Sequence, residues 1–246
     1  MLKISNITKS FDGFFALDDV SLFVDQGVIH AVIGPNGAGK TTFFNIISGI
    51  LAPDNGSVYF KGQNLAKIEP HKIVQLGIAR SFQRVNIFPR KTVFENIQIA
   101  LIARDQLHRS PFKKASNLFS EEVEELLKVV NLFEQVELRG GDLSHGMQKQ
   151  LELAIALASQ PKILLLDEPT AGMSLSETQS CIKLLKNIVQ DRALTLLFTE
   201  HDMQVVFGMA DYISVLHHGR LIASGPPSKI RENSEVKRVY LGNKAL

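Results

Sequence analysis

One short segment restricts the possible folds of this chain more than any other part of it. Residues 34–41 read Gly-Pro-Asn-Gly-Ala-Gly-Lys-Thr, directly after a nearly continuous apolar run at residues 28–33. A segment with the character of a helix follows, from about Lys40 to Ser48. A buried strand, a glycine-rich turn and a helix are therefore expected in immediate succession, which is the local arrangement of α/β proteins.

The later part of the chain extends this α/β pattern. Further short apolar runs, typical of buried strands, occur at residues 163–166, 194–198 and 213–216. Helical spacing appears at residues 176–189 and near Gln204. Buried apolar strands that alternate with helices predict a mostly parallel sheet covered on both faces.

The two ends of the chain differ from this core. The first 33 residues are predicted to form strands with turns at Gly13 and Gly27, and residues 54–56 predict a further turn before a short strand. After the last predicted strand, a polar tail is expected to contain one helix near residues 235–240.

A stretch without strand signals interrupts the core from about residue 85 to 159. Thr92, with Glu95 three residues later, has the pattern of a capping box and predicts the start of a helix. Two further helices are expected, one from Ser120 and one from about Gly146. The α/β core therefore contains an inserted helical segment.

Composition limits the class of protein. Hydrophobic residues make up 45% of the chain, as in proteins with a packed core. Lys plus Arg number 27 against 25 Asp plus Glu, and this balance excludes the strongly basic signature of a dedicated nucleic-acid binder. The single cysteine, Cys181, cannot form an internal disulfide, and no apolar run approaches the roughly 20 residues that cross a bilayer. We expect a cytoplasmic protein that a partner holds at the membrane if it acts there.

The chemistry of the glycine-rich segment favours phosphate binding. Glycine lets successive backbone N–H groups turn inward around phosphate oxygens, and the N-terminus of the following helix adds the positive end of its dipole. Lys40 is expected to reach the β- and γ-phosphates of a nucleotide, and the Thr41 hydroxyl to bind Mg²⁺. The alternative is a glycine-rich turn that only happens to precede a helix, and the apolar run before it disfavours that interpretation.

An apolar run that ends in two acids supplies the second motif. Residues 163–166 lead directly into Asp167 and Glu168, and consecutive side chains on a strand point to opposite faces. Asp167 is expected to face the Mg²⁺ site beneath the phosphate loop, and Glu168 to reach a water molecule in line with the γ-phosphate. Two solvated acids at a strand end are the alternative, which the phosphate loop upstream makes less favourable.

Further motifs occur in an order that resembles one family. Residues 143–148, Leu-Ser-His-Gly-Met-Gln, precede the acidic strand end by about twenty residues and resemble the signature motif of ATP-binding-cassette (ABC) ATPases. Gln83 in Ser-Phe-Gln is similar to the Q-loop glutamine of that family, and His201 in Thr-Glu-His-Asp to its switch histidine. Phe11 stands where the family has an aromatic residue that stacks on adenine. The resemblance covers almost the whole chain, with residues 171–174 in the place of the D-loop.

The resemblance implies an α/β fold with a P-loop ATPase core and a mostly parallel sheet, an N-terminal antiparallel β subdomain and an inserted helical subdomain. Residues 1–246 would form a single ABC ATPase domain. Within it, residues 1–84 and 160–246 would form the RecA-like core with the β subdomain. About 85–159 would form the helical subdomain with the signature motif.

The family also implies ATP and Mg²⁺ as cofactors, together with a set of site residues. The catalytic residues would be Glu168, His201 and Gln83. The metal would be bound by Thr41, Gln83 and Asp167. The nucleotide would be bound by Phe11, Gly34, Pro35, Asn36, Gly37, Ala38, Gly39, Lys40, Thr41, Thr42, Ser144 and Gly146.

The family's partners are implied in the same way. Two ATPase subunits, as a homodimer or heterodimer, would sandwich two ATP molecules between the P-loop of one and the signature motif of the other. Membrane permease subunits would hold the chain at the inner face of the cell membrane. A periplasmic or extracellular substrate-binding protein would act indirectly, and no nucleic acid is expected. We expect Gln83 and the apolar segment at residues 87–89 to receive a cytoplasmic helix of the permease.

Three positions depart from the family pattern. His145 and Met147 stand where the signature motif usually has Gly and Gln, and Ser174 stands where the D-loop usually ends in Asp. Ser144 and Gly146 remain, and the departures leave the phosphate loop, the acid pair and His201 in place, so ATPase activity is still expected.

Within the family, the chain is similar to ATPases of bacterial branched-chain amino-acid importers, through residues 77–83, 88–96 and 239–242. This implies an ATP-hydrolysing subunit that powers import of branched-chain or related amino acids. Urea import and lipopolysaccharide export remain alternatives, because their ATPases share part of this pattern. A soluble non-transport ABC ATPase and a nucleotide-binding module without hydrolysis are further alternatives. The former usually has long coiled-coil arms or tandem cassettes, for which 246 residues leave no room.

Overall fold

Two β-sheets form the framework in the computed structural model, which describes residues 1–81, 85–106 and 118–241. The smaller sheet is antiparallel, with the strand order β2-β1-β4-β5. Its strands are β1 (Leu2–Phe11), β2 (Phe14–Val24), β4 (Asn55–Phe60) and β5 (Gln63–Asn64). Buried and exposed residues alternate along most of β2, so one face of this sheet packs on the core. The predicted N-terminal antiparallel sheet is confirmed.

The larger sheet has the order β10-β9-β3-β8-β7-β6. Its strands are β3 (Ile29–Ile33), β6 (Ile78–Arg80), β7 (Ile163–Asp167), β8 (Thr195–Thr199), β9 (Tyr212–His217) and β10 (Arg220–Gly225). All pairs are parallel except the pair of β10 with β9 at one edge. Every residue of β3, β7 and β8 is buried, which confirms a mostly parallel sheet covered on both faces.

Helices cover both faces of the larger sheet. They are α1 (Lys40–Ile47), α2 (Pro70–Leu76), α3 (Val93–Arg104), α4 (Ser120–Val129), α5 (His145–Ala158), α6 (Leu175–Asp191), α7 (Met203–Met209), α8 (Pro227–Glu232) and α9 (Ser234–Leu241). Alternate residues of β7 enter different hydrophobic clusters. Leu164 and Leu166 pack with α3 to α6, whereas Leu165 packs with α1 and the smaller sheet. The central strands thus join two cores.

The structure corrects the prediction of a turn at residues 54–56. Asn55 and Gly56 begin β4 instead. Gly56 has a φ of +91°, and a Cβ atom there would lie 2.4 Å from the carbonyl oxygen of Asn6. The register of β1 against β4 is irregular between Ser5 and Thr8. Glycine is therefore needed here because two strands pass close to each other, and not because the chain reverses direction.

Sequence patterns also missed several short elements, among them α2, α8, β6 and β10. Helices α2 and α8 have seven and six residues, and β6 has three, so they are too short to show a period. Strand β10 lies at the sheet edge and is mostly half-buried, which weakens its apolar signal. The C-terminal segment accordingly contains two helices, α8 and α9, where one was predicted.

The inserted helices pack on one another and begin where predicted. The Thr92 hydroxyl accepts a hydrogen bond from the Glu95 backbone N–H at 3.0 Å, and the Glu95 carboxylate accepts one from the Thr92 N–H at 2.9 Å, which confirms the capping box. At the other end of α3, Arg104 forms an ion pair with Glu122 of α4. Arg104 also donates to the Ala158 carbonyl at the end of α5, at 3.3 Å. One arginine therefore joins all three helices.

Asn96, which is 1% exposed, fastens the loop before α3. Its Oδ1 accepts from the Phe88 N–H at 2.8 Å, and its Nδ2 donates to the carbonyls of Phe88 at 3.1 Å and Thr92 at 2.8 Å. The carbonyl of Pro89 accepts from the Gly141 N–H at 2.9 Å. This fixed backbone leaves the Phe88 side chain 52% exposed.

We predict that Asn96→Ala lowers the free energy of unfolding by about 2–3 kcal/mol, because backbone groups of the loop lose their partners. Chemical denaturation of the purified chain measures the change. Asn187→Ala, at an exposed position of α6, is the matched control, with an expected change below about 0.5 kcal/mol. A loss of stability no larger than that of the control would mean that other contacts hold the loop.

Candidate active site

The glycine-rich segment forms a loop between β3 and α1. Gly37 and Gly39 have φ angles of +79° and +103°, a region that favours glycine. A Cβ atom at Gly39 would lie 2.3 Å from the Ala16 carbonyl oxygen, and one at Gly34 would lie 2.3 Å from that of Leu216. Close approach of two neighbouring backbones therefore requires glycine at both positions.

The N-terminus of α1 has the properties of an anion site. Gly39 occupies the N-cap position, and in the described part of the chain no side chain caps α1 and no acidic residue lies in its first turn. Backbone N–H groups of a first turn have no intrahelical acceptor and carry the positive end of the helix dipole. These donors are suited to phosphate oxygens.

Lys40 places a buried ammonium group at the same loop. It is 8% exposed, and its Nζ donates to the carbonyls of Gly34 at 2.6 Å and Pro35 at 3.1 Å. Burial lowers the pKa of Lys40, and the nearby charges of Glu168 and Asp167 oppose this by raising it. The two acids thus favour the charged form of a lysine that burial alone would disfavour.

Asp167 ends β7 in the interior. Its Oδ1 accepts from the Thr199 hydroxyl at 2.6 Å, and its Oδ2 lies 3.6 Å from an Nη of Arg80. Burial lowers the pKa of Arg80, while the Asp167 charge raises it. Arg80 also donates to Asn45 and Ser48 of α1, at 2.8 and 2.9 Å. A buried ion pair therefore connects the acidic strand end to the helix that follows the P-loop.

Glu168 leaves the strand in a different direction. Its φ is +52°, in the left-handed region that non-glycine residues seldom adopt. Its backbone N–H donates to the Thr199 carbonyl at 3.1 Å. Its Oε1 lies 2.6 Å from the Nε2 of His201. Asp167 thus points into the interior, whereas the Glu168 carboxylate meets a histidine that follows β8.

An open cavity of about 420 Å³ is shared by the P-loop, Glu168 and His201, whereas Asp167 does not line it. Its lining consists of Phe11, Phe14, Ala16, residues 36–42, Glu168 and His201. Phe14, which is 63% exposed, is an aromatic residue of this cavity that the sequence analysis missed. It pairs with Phe11 across the turn between β1 and β2, and this three-residue spacing about a turn is the signal that could have indicated it.

The two residues predicted from the signature motif lie elsewhere. Ser144 is the N-cap of α5, where its hydroxyl accepts from the Met147 N–H at 3.3 Å. Ser144 and Gly146 line a second cavity of about 250 Å³, together with Ser180 and other residues of α6. Gln83 lies outside the described residues. A single chain therefore does not bring the signature motif to the P-loop cavity.

Two of the departures from the family pattern, His145 and Ser174, are exposed at helix N-termini. Ser174 caps α6: the Glu177 carboxylate accepts from the Ser174 N–H at 2.8 Å, and the Ser174 hydroxyl accepts from the Glu177 N–H at 3.4 Å. A Cβ atom at Gly172 would lie 3.4 Å from the His145 ring. His145 of the signature segment thus lies beside the D-loop segment, residues 171–174.

The donor set fits Mg²⁺ that is bound together with a nucleotide. The described residues contain no group of three or more His, Cys, Asp or Glu side chains that could hold a metal ion by itself. Mg²⁺ commonly takes one or two protein oxygens and completes its shell with phosphate oxygens and water. Thr41 at the cavity and Asp167 at the strand end offer two such oxygens.

Similarity to known proteins decides the family. The family described as "ABC transporter" matches residues 17–171. The chain belongs to the ABC transporter family. It is 35% identical to the high-affinity branched-chain amino acid transport ATP-binding protein BraF of Pseudomonas aeruginosa, over 98% of each chain. It is 34% identical to the corresponding protein LivG of Escherichia coli, again over 98% of each chain.

Solved structures agree with this membership. A nucleotide-free ATP-binding cassette from an ABC transporter matches with a TM-score of 0.86 and 30% identity, over 99% of each chain. An ATP-binding cassette in its ADP conformation gives the same three values. The protein is the ATP-binding subunit of an ABC transporter, and its ATPase activity is coupled to transport. Among the described residues, none of its helices is both long and apolar enough to span a membrane.

We predict that Gly39→Ala lowers the stability and the MgATP affinity of this cassette more than Gly37→Ala does. Both changes place a side chain at positive φ, which costs about 1–2 kcal/mol. Only the Gly39 change also meets a backbone oxygen, at 2.3 Å, because the space around a Cβ at Gly37 is open. Denaturation midpoints and MgATP affinity of the two variants measure the difference. Equal losses would mean that the loop can move away from β2.

Proposed function

We propose that this cassette powers the import of branched-chain or closely related amino acids. The observation that carries the hydrolytic role is the cavity shared by the P-loop, Glu168 and His201. The cargo is supported by relatives named for branched-chain amino acid transport, which align with 98% of this chain. Part of the import system would be a substrate-binding protein outside the membrane.

The P-loop would bind the phosphates of ATP through backbone N–H groups and Lys40. Lys40 now donates to carbonyls of its own loop, so phosphate oxygens would replace these weaker acceptors with charged ones. Residues 36–42 line the cavity, whereas Gly34 and Pro35 do not, and Phe11 would stack on adenine from its rim. Phe14, beside Phe11, extends the aromatic wall of this part of the cavity.

The residues that would hold Mg²⁺ are Thr41, Asp167 and Gln83. Mg²⁺ would neutralise part of the phosphate charge when bound. For the chain itself, the important feature is that Thr199 and Arg80 hold the Asp167 carboxylate in one orientation. A fixed oxygen ligand does not have to be ordered at the moment of binding.

Glu168 would act as the general base that takes a proton from the attacking water. The 2.6 Å contact with His201 fixes the free end of its side chain, so one carboxylate oxygen is oriented by the imidazole. His201 would also contact the γ-phosphate, where a hydrogen bond stabilises charge in the transition state. Gln83 would complete the catalytic group.

A second ATPase subunit would complete the nucleotide site. Ser144 and Gly146 face a cavity different from that of the P-loop, and their place at the N-terminus of α5 suits them to a phosphate of the partner's nucleotide. Each chain would therefore give its P-loop to one site and its signature motif to the other. The helical subdomain, about 85–159, would carry the signature motif relative to the core.

The permease would dock on the loop before α3 and hold the cassette at the inner face of the membrane. Phe88 combines an exposed aromatic side chain with a backbone fixed by Asn96. Exposed apolar surface on a fixed loop favours a partner site. Gln83, five residues earlier, would connect this loop to the nucleotide site.

Replacement of Glu168 by Gln is the central test. Reconstituted in vesicles with its permease and binding protein, the wild-type cassette is expected to drive ATP-dependent uptake of labelled leucine, with competition by isoleucine and valine. Glu168→Gln should bind MgATP normally and lose hydrolysis by at least about 100-fold, because an amide cannot accept the proton. The variant should also accumulate as an ATP-bound dimer, detected by light scattering.

Glu124→Gln, at an exposed position of α4, is the control and should retain uptake. Wild-type turnover by Glu168→Gln would remove the proposed base. If urea inhibits uptake, whereas isoleucine and valine do not, the proposed cargo is wrong.

The docking proposal predicts that Phe88→Ala abolishes transport while the free cassette still binds ATP. Phe23 is 54% exposed on β2 of the smaller sheet, so Phe23→Ala removes a matched exposed aromatic side chain outside the helical segment and should leave uptake normal. Uptake and melting temperature are measured for both variants. Wild-type uptake by Phe88→Ala would place the docking surface elsewhere, and a large fall in its melting temperature would mean that Phe88 is a packing residue.

A further inference from the structure

The turn that follows the acidic strand end is held by charged groups from two directions. It comprises residues 168–170 and includes Glu168, whose positive φ stores backbone strain. Such a conformation persists only where surrounding contacts hold it, and the direction of the Glu168 side chain depends on it. The groups that hold this turn therefore determine where the carboxylate lies.

Lys149 holds the turn from the side of α5. Its Nζ donates to the carbonyl of Glu168 at 2.9 Å and to that of Pro169 at 3.3 Å. The side chain is half-buried, and burial lowers the pKa of Lys149 while the charge of Glu200 raises it. Lys149 lies on the helix whose N-terminus presents Ser144 to the second cavity.

Glu200 holds the turn from the side of β8. It is 4% exposed, and its Oε1 accepts from both the backbone N–H of Thr170 at 2.9 Å and the Thr170 hydroxyl at 2.6 Å. Its Oε2 accepts from the backbone N–H of His201 at 3.2 Å. One buried carboxylate thus connects the turn after Glu168 to the histidine that the Glu168 side chain contacts.

We propose that Lys149 and Glu200 are positioning residues for the Glu168–His201 pair, and that Lys149 makes the position of Glu168 depend on helix α5. The same helix carries the signature residues. Binding of the partner's nucleotide at Ser144 would therefore change the position of Glu168, the general base of the chain's own site. Neither residue touches the nucleotide in this scheme. The inference rests on the proposed role of Glu168 as general base.

The test compares Lys149→Met with Lys149→Arg in the full-length cassette, alone and assembled with its permease. Lys149→Met keeps a long side chain but loses the donor, and we expect kcat for ATP hydrolysis to fall by about 10- to 100-fold, as for a misplaced catalytic group. Affinity for a fluorescent MgATP analogue should stay within about twofold of wild type, because binding uses the P-loop. Lys149→Arg retains a donor and should restore most of the rate.

Lys128→Met, which removes an exposed positive charge from α4, is the matched control and should leave both quantities unchanged. If Lys149→Met does not fold, Thr170→Val replaces it, since loss of the hydroxyl removes one of the two hydrogen bonds between Thr170 and Glu200 and should also lower kcat without changing affinity. Normal kcat in the folded variant would overturn the inference and leave the proposed function standing. Equal losses of affinity and kcat, or no rescue by Lys149→Arg, would also overturn it, because they indicate general loosening. A wild-type cassette that binds MgATP without hydrolysing it would overturn the proposed function as well.

Discussion

The parallel pairing of β3, β8 and β7 is the constraint on which the rest of the site depends. Strand β8 lies between the other two, with Leu196 opposite Ile29 on one side and Leu164 on the other. Parallel neighbours end at the same edge of a sheet, and ligands of open α/β sheets bind at that edge. The P-loop follows β3, the two acids end β7 and His201 follows β8, so three segments far apart in sequence meet there. Alternate residues of these strands pack in two different hydrophobic clusters, and this specifies their register, because a slip of one residue would move every side chain to the opposite face.

Features encoded within a few residues could be predicted from the sequence. The P-loop follows from residues 34–41 and their flanking segments, and the capping box of α3 from Thr92 and Glu95. The acids after β7 follow from an apolar run that ends in charge. Each of these depends on local backbone chemistry, which short patterns record directly.

Features that depend on distant partners could not be predicted in this way. Lys149 is separated from the carbonyls it binds by about twenty residues, and nothing around it in sequence distinguishes it from a surface lysine. Glu200 directly precedes His201, which the family resemblance identified. A role for Glu200 is indicated only by its hydrogen bond with Thr170, which the sequence does not show. Strand β6 is likewise too short to recognise, although its Arg80 pairs with Asp167. Tertiary contacts, and not local preference, give these residues their place.

The positive charge of Lys40 is stabilised by carbonyl groups and acids of the chain itself. Lys40 is buried against carbonyl dipoles, with two acids that favour its charged form. A triphosphate would bring in several negative charges, so Lys40 would have to exchange its carbonyl acceptors for phosphate oxygens. This exchange costs little free energy, because the ammonium group is already desolvated and only its hydrogen-bond acceptors change.

Helix α5 connects two parts of the chain that the proposed mechanism assigns to two different nucleotide sites. Its N-terminus, at Ser144, opens on one cavity, while Lys149 in its second turn donates to the backbone carbonyl of Glu168, a residue that lines another. A helix transmits displacement along its axis with little loss, because its hydrogen bonds run in that direction. In the proposed coupling, movement at the signature end would reach the turn at Glu168 through Lys149. Two copies arranged head to tail would connect each site to the other through this one rigid element.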